Sequence, residues 1–250
     1  MIPSGPLQFR AVSIAARRSG KELQTWFSWA RGWAFSLFAL VLLSAVAVAA
    51  EPATVSFSLD FPSSDPEHYS ISVNSDGHAR YECSARISPD SDERETYQTE
   101  FDVTATNRAR IFDLAAQAHN FSKKVDSGNS KLAFTGSKKL LYRDGRENHT
   151  VEYNYSHLPA VQQLTDIFQS IASTMEYGRR LVYFHRYQKL ALDEELKRME
   201  MQAKNNELIE LQAVQPVLQQ LYDDSSVMNV VRARAQRIIE MGRSRAGTGH

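Results

Sequence analysis

The chain has 250 residues, and its 29 lysine and arginine side chains balance its 29 aspartate and glutamate side chains. This balance excludes an overall charge that would draw the protein to nucleic acid, so we expect no nucleic-acid partner. Cys83 is the only cysteine, which excludes an intramolecular disulfide and makes packing the source of stability. We expect Cys83 to be a small buried hydrophobic residue.

The first predicted element is an uncharged run over residues 33–50. As a helix, this run would span roughly 27 Å, just short of the ~30 Å hydrocarbon core of a bilayer. Ala47, Ala49 and Ala50 supply the small residues that a leader peptidase recognises. The pattern therefore predicts that residues 1–50 form a signal peptide cleaved beside these alanines.

The segment before this run is long for a signal peptide, because about 32 residues precede it. An uncleaved N-terminal anchor is therefore the alternative, and a helix buried in the fold is the third possibility. Basic residues precede the run, so both membrane topologies place residues 51–250 outside the cytoplasm. We expect an exported protein that is periplasmic or extracellular, or anchored in the inner membrane, with membrane contact only through residues 33–50.

Residues 54–103 alternate between apolar and polar side chains and predict four strands. The side chains expected to face inward are Val55, Phe57, Leu59, Phe61, Tyr69, Ile71, Val73, Tyr81, Cys83, Ala85, Ile87 and Tyr97, with either Phe101 or Val103.

The segment between the second and third strands, residues 74–78, is typical of a hairpin turn. We predict a three-residue loop that pairs Val73 with Tyr81 and Ile71 with Cys83. This register keeps the apolar side chains of both strands on one face of the sheet.

A helix is predicted over residues 107–119, with Thr104 or Thr106 as its N-cap. A polar loop follows at residues 122–131, and a second hairpin turns near Asp144-Gly145.

From Leu158 onward, the apolar side chains recur at the spacing of a helix and no longer alternate with polar ones as in a strand. Pro159 is expected in the first turn of a helix that Gly178 stops or bends, followed by a longer helix to about Ala213. Pro216 then interrupts the helical pattern. The apolar positions of the longer helix form a narrow seam: Leu181, Phe184, Leu192, Leu196, Met199 and Ala203.

A short helix is predicted to end near Tyr222, and Ser225 or Ser226 is expected to cap a last helix. The apolar face of that last helix is expected to hold Val227, Val230, Val231, Ala235, Ile238 and Ile239. Residues 243–250 are expected to form a disordered tail.

These elements predict an α+β fold in which an antiparallel sheet of about six strands packs on helices and an α-helical C-terminal extension follows. We expect a sheet domain with one helix over residues 51–157 and a helical extension over residues 158–242.

Two resemblances bear on this fold. The segments "VQPVLQQLYDD" and "SSVMNVVRARAQRIIE" resemble one helix pair of the HEAT-repeat type, although the spacing from acid to arginine differs from that repeat. The segments "YSISVNSDGHARYE", "TEFDV", "IFDLAAQAHNF" and "VQQLTDIFQSI" resemble, in their order, exported bacterial domains of unknown function. The second resemblance implies the fold but no activity, and the first implies no partner, since a stacked solenoid needs about three repeats.

The sequence contains no common catalytic motif. GxGxxG, the phosphate-loop pattern and GxSxG are all absent. The seven histidines occur singly, and none forms an HxxxH pair, so we expect no metal and no cofactor.

Tyrosines at residues 142, 153 and 155 are the candidate binding residues, with Phe134 beside them. Tyr142, Tyr153 and Tyr155 would give a flat amphipathic surface suited to sugars or peptides. Packing of these rings under the following helix is the alternative.

These observations favour an exported cell-envelope protein that acts as a non-enzymatic binding or interaction module. Residues 179–242 are expected to bind a protein partner or a second copy, because their helices carry more apolar positions than a lone hairpin needs. A hydrolase with an unrecognised site and a membrane-anchored extracytoplasmic sensory domain are the alternatives.

Overall fold

A computed structural model describes residues 51–62, 64–87, 91–129 and 131–247 of the chain. The predicted cleavage residues Ala47, Ala49 and Ala50 lie outside the described residues, as do residues 248–250. The described residues belong to one compact unit, in which the sheet and the C-terminal helices pack together.

The α+β prediction is confirmed. The described residues contain six strands, β1 to β6, and every neighbouring pair is antiparallel in the order β4-β3-β2-β1-β5-β6. The strands are Thr54–Asp60, His68–Asn74, His78–Arg86, Arg94–Asp102, Ser137–Arg143 and Asn148–Tyr153. Five α-helices, α1 to α5, are described at Ala105–Gln117, Pro159–Tyr187, Leu192–Lys204, Gln215–Asp223 and Asn229–Gly247.

The sheet buries one face against α1 and α2, as the alternation of its strands predicts. The Phe57 ring stacks on Phe168 of α2 with centroids 5.5 Å apart. Cys83 is buried in this core, as expected. Phe61 and Ile87 were predicted to face inward but lie just beyond the ends of their strands, and each is 37% exposed.

The hairpin between β2 and β3 has a three-residue loop, but the predicted register was wrong by two residues. Val73 pairs with Ala79 and Ile71 with Tyr81. Gly77 has φ +105° and donates its N–H to Asn74 O at 2.9 Å, so it is the last residue of the loop. A loop of this length places its left-handed residue third, which fixes the loop as residues 75–77. The side chains keep their faces because the shift is even.

Helix α1 begins after Thr104, which is the N-cap among the two predicted candidates, Thr104 and Thr106, with Asn107 N donating to Thr104 Oγ1 at 3.5 Å. The buried carboxylate of Glu210 also accepts from Thr104 N and Thr104 Oγ1, each at 3.0 Å. Glu210 lies more than 100 residues further along the chain. This contact ties the C-terminal region to the sheet domain.

Helix α2 runs through Gly178 without a break, so the expectation that Gly178 stops this helix was wrong. A Cβ atom at this position would lie 2.6 Å from Val214 Cγ1. Gly178 is therefore needed for the close approach of the short 3-10 segment Leu211–Val214 to α2.

The predicted long helix to Ala213 is instead several elements. Helix α3 ends at Lys204, and Asn206 and Glu210 have positive φ where the chain turns back. Helix α3 packs on α2 and α5. The six residues of the predicted apolar seam are all buried inside this unit.

The last helix begins at Asn229 and continues to Gly247, so it includes residues 243–247 of the predicted tail. Arg245 fixes this end by donating to Leu208 O at 3.1 Å and to Asn206 Oδ1 at 2.9 Å. Val230, predicted on the apolar face, is 48% exposed.

Candidate ligand-binding site

The structure brings together two of the three predicted binding residues. Tyr153 ends β6 and is buried, and its hydroxyl lies 2.6 Å from Thr165 Oγ1 of α2. Tyr155 follows the strand and is 41% exposed. Both line one cavity of ≈ 290 Å³, here named cavity A.

Tyr142 lies near the opposite end of the hairpin, and its hydroxyl donates to Asp144 Oδ2 at 3.1 Å. It does not line cavity A. Phe134 is exposed on the loop before β5, and its ring makes an edge contact with Phe61 at 6.1 Å. The predicted aromatic surface is therefore divided between two places, and cavity A holds only the Tyr153 and Tyr155 part of it.

Lys138 of β5 forms part of the wall of cavity A and is only 6% exposed. Its Nζ donates to Thr135 Oγ1 at 2.8 Å, to Asn154 O at 3.0 Å and to Thr135 O at 3.3 Å. No carboxylate of the described residues forms an ion pair with it, and burial lowers the pKa of Lys138. These bonds use the three donors of the ammonium group, so Lys138 holds the wall together.

The loops around cavity A are fixed to residues 154–156. Asn154 Oδ1 accepts from Thr135 N at 3.0 Å, and Asn154 N donates to Asp126 Oδ1 at 3.1 Å. Ser127 N donates to Tyr155 O at 2.8 Å. The backbone N–H of Gly128, which donates to the Asp126 carboxylate, lowers the pKa of Asp126. The cavity is therefore shaped before any ligand arrives, and the backbone groups named here are already paired.

A second cavity of ≈ 450 Å³, cavity B, lies further along α2. It is lined by residues that include Tyr69 of β2, Ser173 and Arg180 of α2, and Gln202 of α3. Gln169 lines both cavities, so they adjoin along the same helix. A depression of the same volume on the open face of the sheet is lined mainly by polar and charged side chains of β2, β3 and β4, such as Arg80 and Glu100.

The carboxylate of Glu176, beside cavity B, is the centre of a buried polar cluster. It accepts from Tyr81 OH at 2.7 Å and from Cys83 Sγ at 3.3 Å, and Arg179 pairs with it at 2.9 Å. Burial raises the pKa of Tyr81, and burial together with the Glu176 charge raises the pKa of Cys83 to about 12. Both groups are therefore protonated donors at neutral pH, and Cys83 is a poor nucleophile.

Sequence reasoning missed both Lys138 and Glu176. Lys138 lies on β5 two residues before the buried Leu140. Because alternate residues of a strand share a face, its side chain points into the fold. Glu176 lies one turn after Ala172 on the buried face of α2. A charged residue at an apolar position was the available signal in each case.

No group of three or more metal-ligating side chains occurs within the part of the chain that the structure describes. In that part, no helix combines the length and the apolar character needed to cross a bilayer.

No family model matches the chain, and no curated protein matches it.

Proposed function

We propose that the protein is an exported, non-enzymatic binding module that takes a small polar ligand in cavity A. The observation that carries this proposal is the convergence of Tyr153 and Tyr155 on a concave cavity that has both polar and apolar walls, held by bonds within the chain. Pre-organised walls reduce the ordering cost of binding.

The chemistry of the buried cluster favours binding over catalysis. Glu176 is engaged by Tyr81, Cys83 and Arg179 at once, so it has little capacity left as a base. A hydrolase would need an activated nucleophile, whereas the raised pKa values of Tyr81 and Cys83 work against one.

Export is proposed from the sequence of residues 33–50 and the basic residues before them. An uncleaved anchor would make the same module the extracytoplasmic part of a membrane-attached sensor. The mass of the mature N-terminus distinguishes these two forms.

Association through residues 179–242 is the second candidate function. The seam that suggested it is buried within the chain, but Leu190 is 83% exposed and Tyr187 is 61% exposed near the end of α2. Light scattering of the wild type and of the Leu190→Ser variant tests this proposal. A dimer that the variant dissociates supports it, and a monomeric wild type that retains no partner contradicts it.

The binding proposal is tested by ligand-observed NMR on the full-length protein with a panel of sugars, amino acids and dipeptides. Tyr155→Ala removes the exposed wall of cavity A, and Tyr187→Ala is the matched control at an exposed tyrosine elsewhere. We expect at least one compound to bind the wild type and the control equally and Tyr155→Ala about tenfold more weakly. Absence of binding to the wild type, or equal loss in both variants, would contradict the proposal.

A further inference from the structure

We propose that the ligand is a neutral, linear oligosaccharide that lies along α2 and occupies cavities A and B together. This inference rests on the proposed function, because it assigns the ligand class and the full length of the same site.

The two cavities lie in sequence along one side of α2 and share the wall residue Gln169. Gln162 lines cavity A, Arg180 lines cavity B, and Gln169 lines both. At a rise of ~1.5 Å per residue, the 18 helical positions from Gln162 to Arg180 extend over about 27 Å. A chain-like ligand fits this shape, whereas one small molecule would occupy only part of it.

The polar side chains along this site are available to a ligand. Asp166, Gln169, Ser173 and Gln202 line the cavities, and their side chains form no hydrogen bond with any other described residue. Amides and hydroxyls both donate and accept, and a carboxylate accepts. A ligand rich in hydroxyl groups is complementary to such a mixture at every position.

Tyr155 provides a pre-oriented aromatic surface at the cavity A end. Its hydroxyl accepts from Gln162 Nε2 at 2.8 Å, and its ring makes an edge contact with His157 at 5.4 Å. An exposed ring held from two sides can stack against the apolar face of a sugar at low entropic cost.

An extended peptide fits this site less well. Peptides that bind as an added strand need free backbone donors and acceptors, and here Asn154 N, Asn154 O and Tyr155 O are already bonded within the chain. The site also carries both signs of charge, with Lys138 and Arg180 opposed by Asp65 and Asp166. A neutral ligand is therefore favoured over a strongly charged one.

The test is calorimetric titration of the full-length protein with linear glycans of one to six sugars, in three series: β-1,4-linked glucose, β-1,4-linked N-acetylglucosamine and α-1,4-linked glucose. We expect one series to gain at least tenfold in affinity between the disaccharide and the hexasaccharide. Gln202→Leu in cavity B should remove most of that gain. Tyr155→Ala should weaken both ligands about tenfold. Urea unfolding of each variant shows that the change is not a loss of fold.

The outcomes separate this inference from the proposed function. If sugars bind through Tyr155 but neither length nor Gln202 affects affinity, the elongated site is wrong and the binding module stands. If a dipeptide of the NMR panel binds in a Tyr155-dependent way and no glycan does, the ligand class is wrong. If nothing binds in a Tyr155-dependent way, both proposals fail.

Discussion

Replacement of Glu176 by glutamine should destabilise the fold far more than its small change in shape suggests. The glutamine carbonyl can still accept from Tyr81 OH, but the negative charge that faces Arg179 is lost. Arg179 has only 7% of its side chain exposed and would keep one bond, to Arg86 O at 3.1 Å. Breaking a buried ion pair by removing one partner costs about 3–5 kcal/mol.

Because Arg179 retains that one bond, we expect the lower end of this range, about 3 kcal/mol, for Glu176→Gln. Adding Arg179→Met removes the unpaired charge, so the double variant should be more stable than Glu176→Gln by at least about 1 kcal/mol. Glu152→Gln, which breaks the exposed pair of Glu152 with Lys139, is the control and should cost less than about 1 kcal/mol.

The assay is urea unfolding followed by circular dichroism, with the slope of the transition checked for each variant. If Glu176→Gln costs no more than Glu152→Gln, or if the double variant is less stable than Glu176→Gln, then the charge of Glu176 does not stabilise the fold by pairing with Arg179.

Three further predictions concern other parts of the chain. Gly178→Ala places a Cβ atom 2.6 Å from Val214 Cγ1 and should cost about 1–3 kcal/mol in urea unfolding, whereas Gly145→Ala, with nothing within 4 Å, should cost little. Cys83 should resist alkylation at pH 8 in the native protein and react once unfolded in urea, because its pKa is raised to about 12; rapid native labelling would refute this. A hydrogen bond from Arg237 lowers the pKa of Glu200 from 4.5 to about 2. The contribution of ionised Glu200 to stability is therefore present above pH 4.5 and is lost as the pH falls toward 2. The stability difference between the wild type and Glu200→Gln should therefore narrow in urea titrations from pH 6 to pH 3, and a constant difference would contradict the assignment.

The candidate site was only partly visible in the sequence. Alternation along residues 151–155 identified Tyr153 and Tyr155, but Tyr142 of the neighbouring strand β5 was grouped with them. Period-two spacing reports which face a residue occupies and not how far apart two residues lie. Gln202 could not have been found in this way, since its helix reaches cavity B only through folding of the C-terminal region onto α2.

The sequence by itself determined the α+β class, the buried faces of β1, β2 and β3, and a threonine cap for α1 at either Thr104 or Thr106. These features depend on local spacing and on backbone preferences, which neighbouring residues fix. The tertiary structure decided the uninterrupted course of α2 past Gly178, the burial of the apolar seam within one unit and the position of two cavities on either side of Gln169. Each of these depends on contacts between residues distant in the chain, and a glycine or an apolar stripe has the same local pattern whether its partner is solvent, another protein or its own chain.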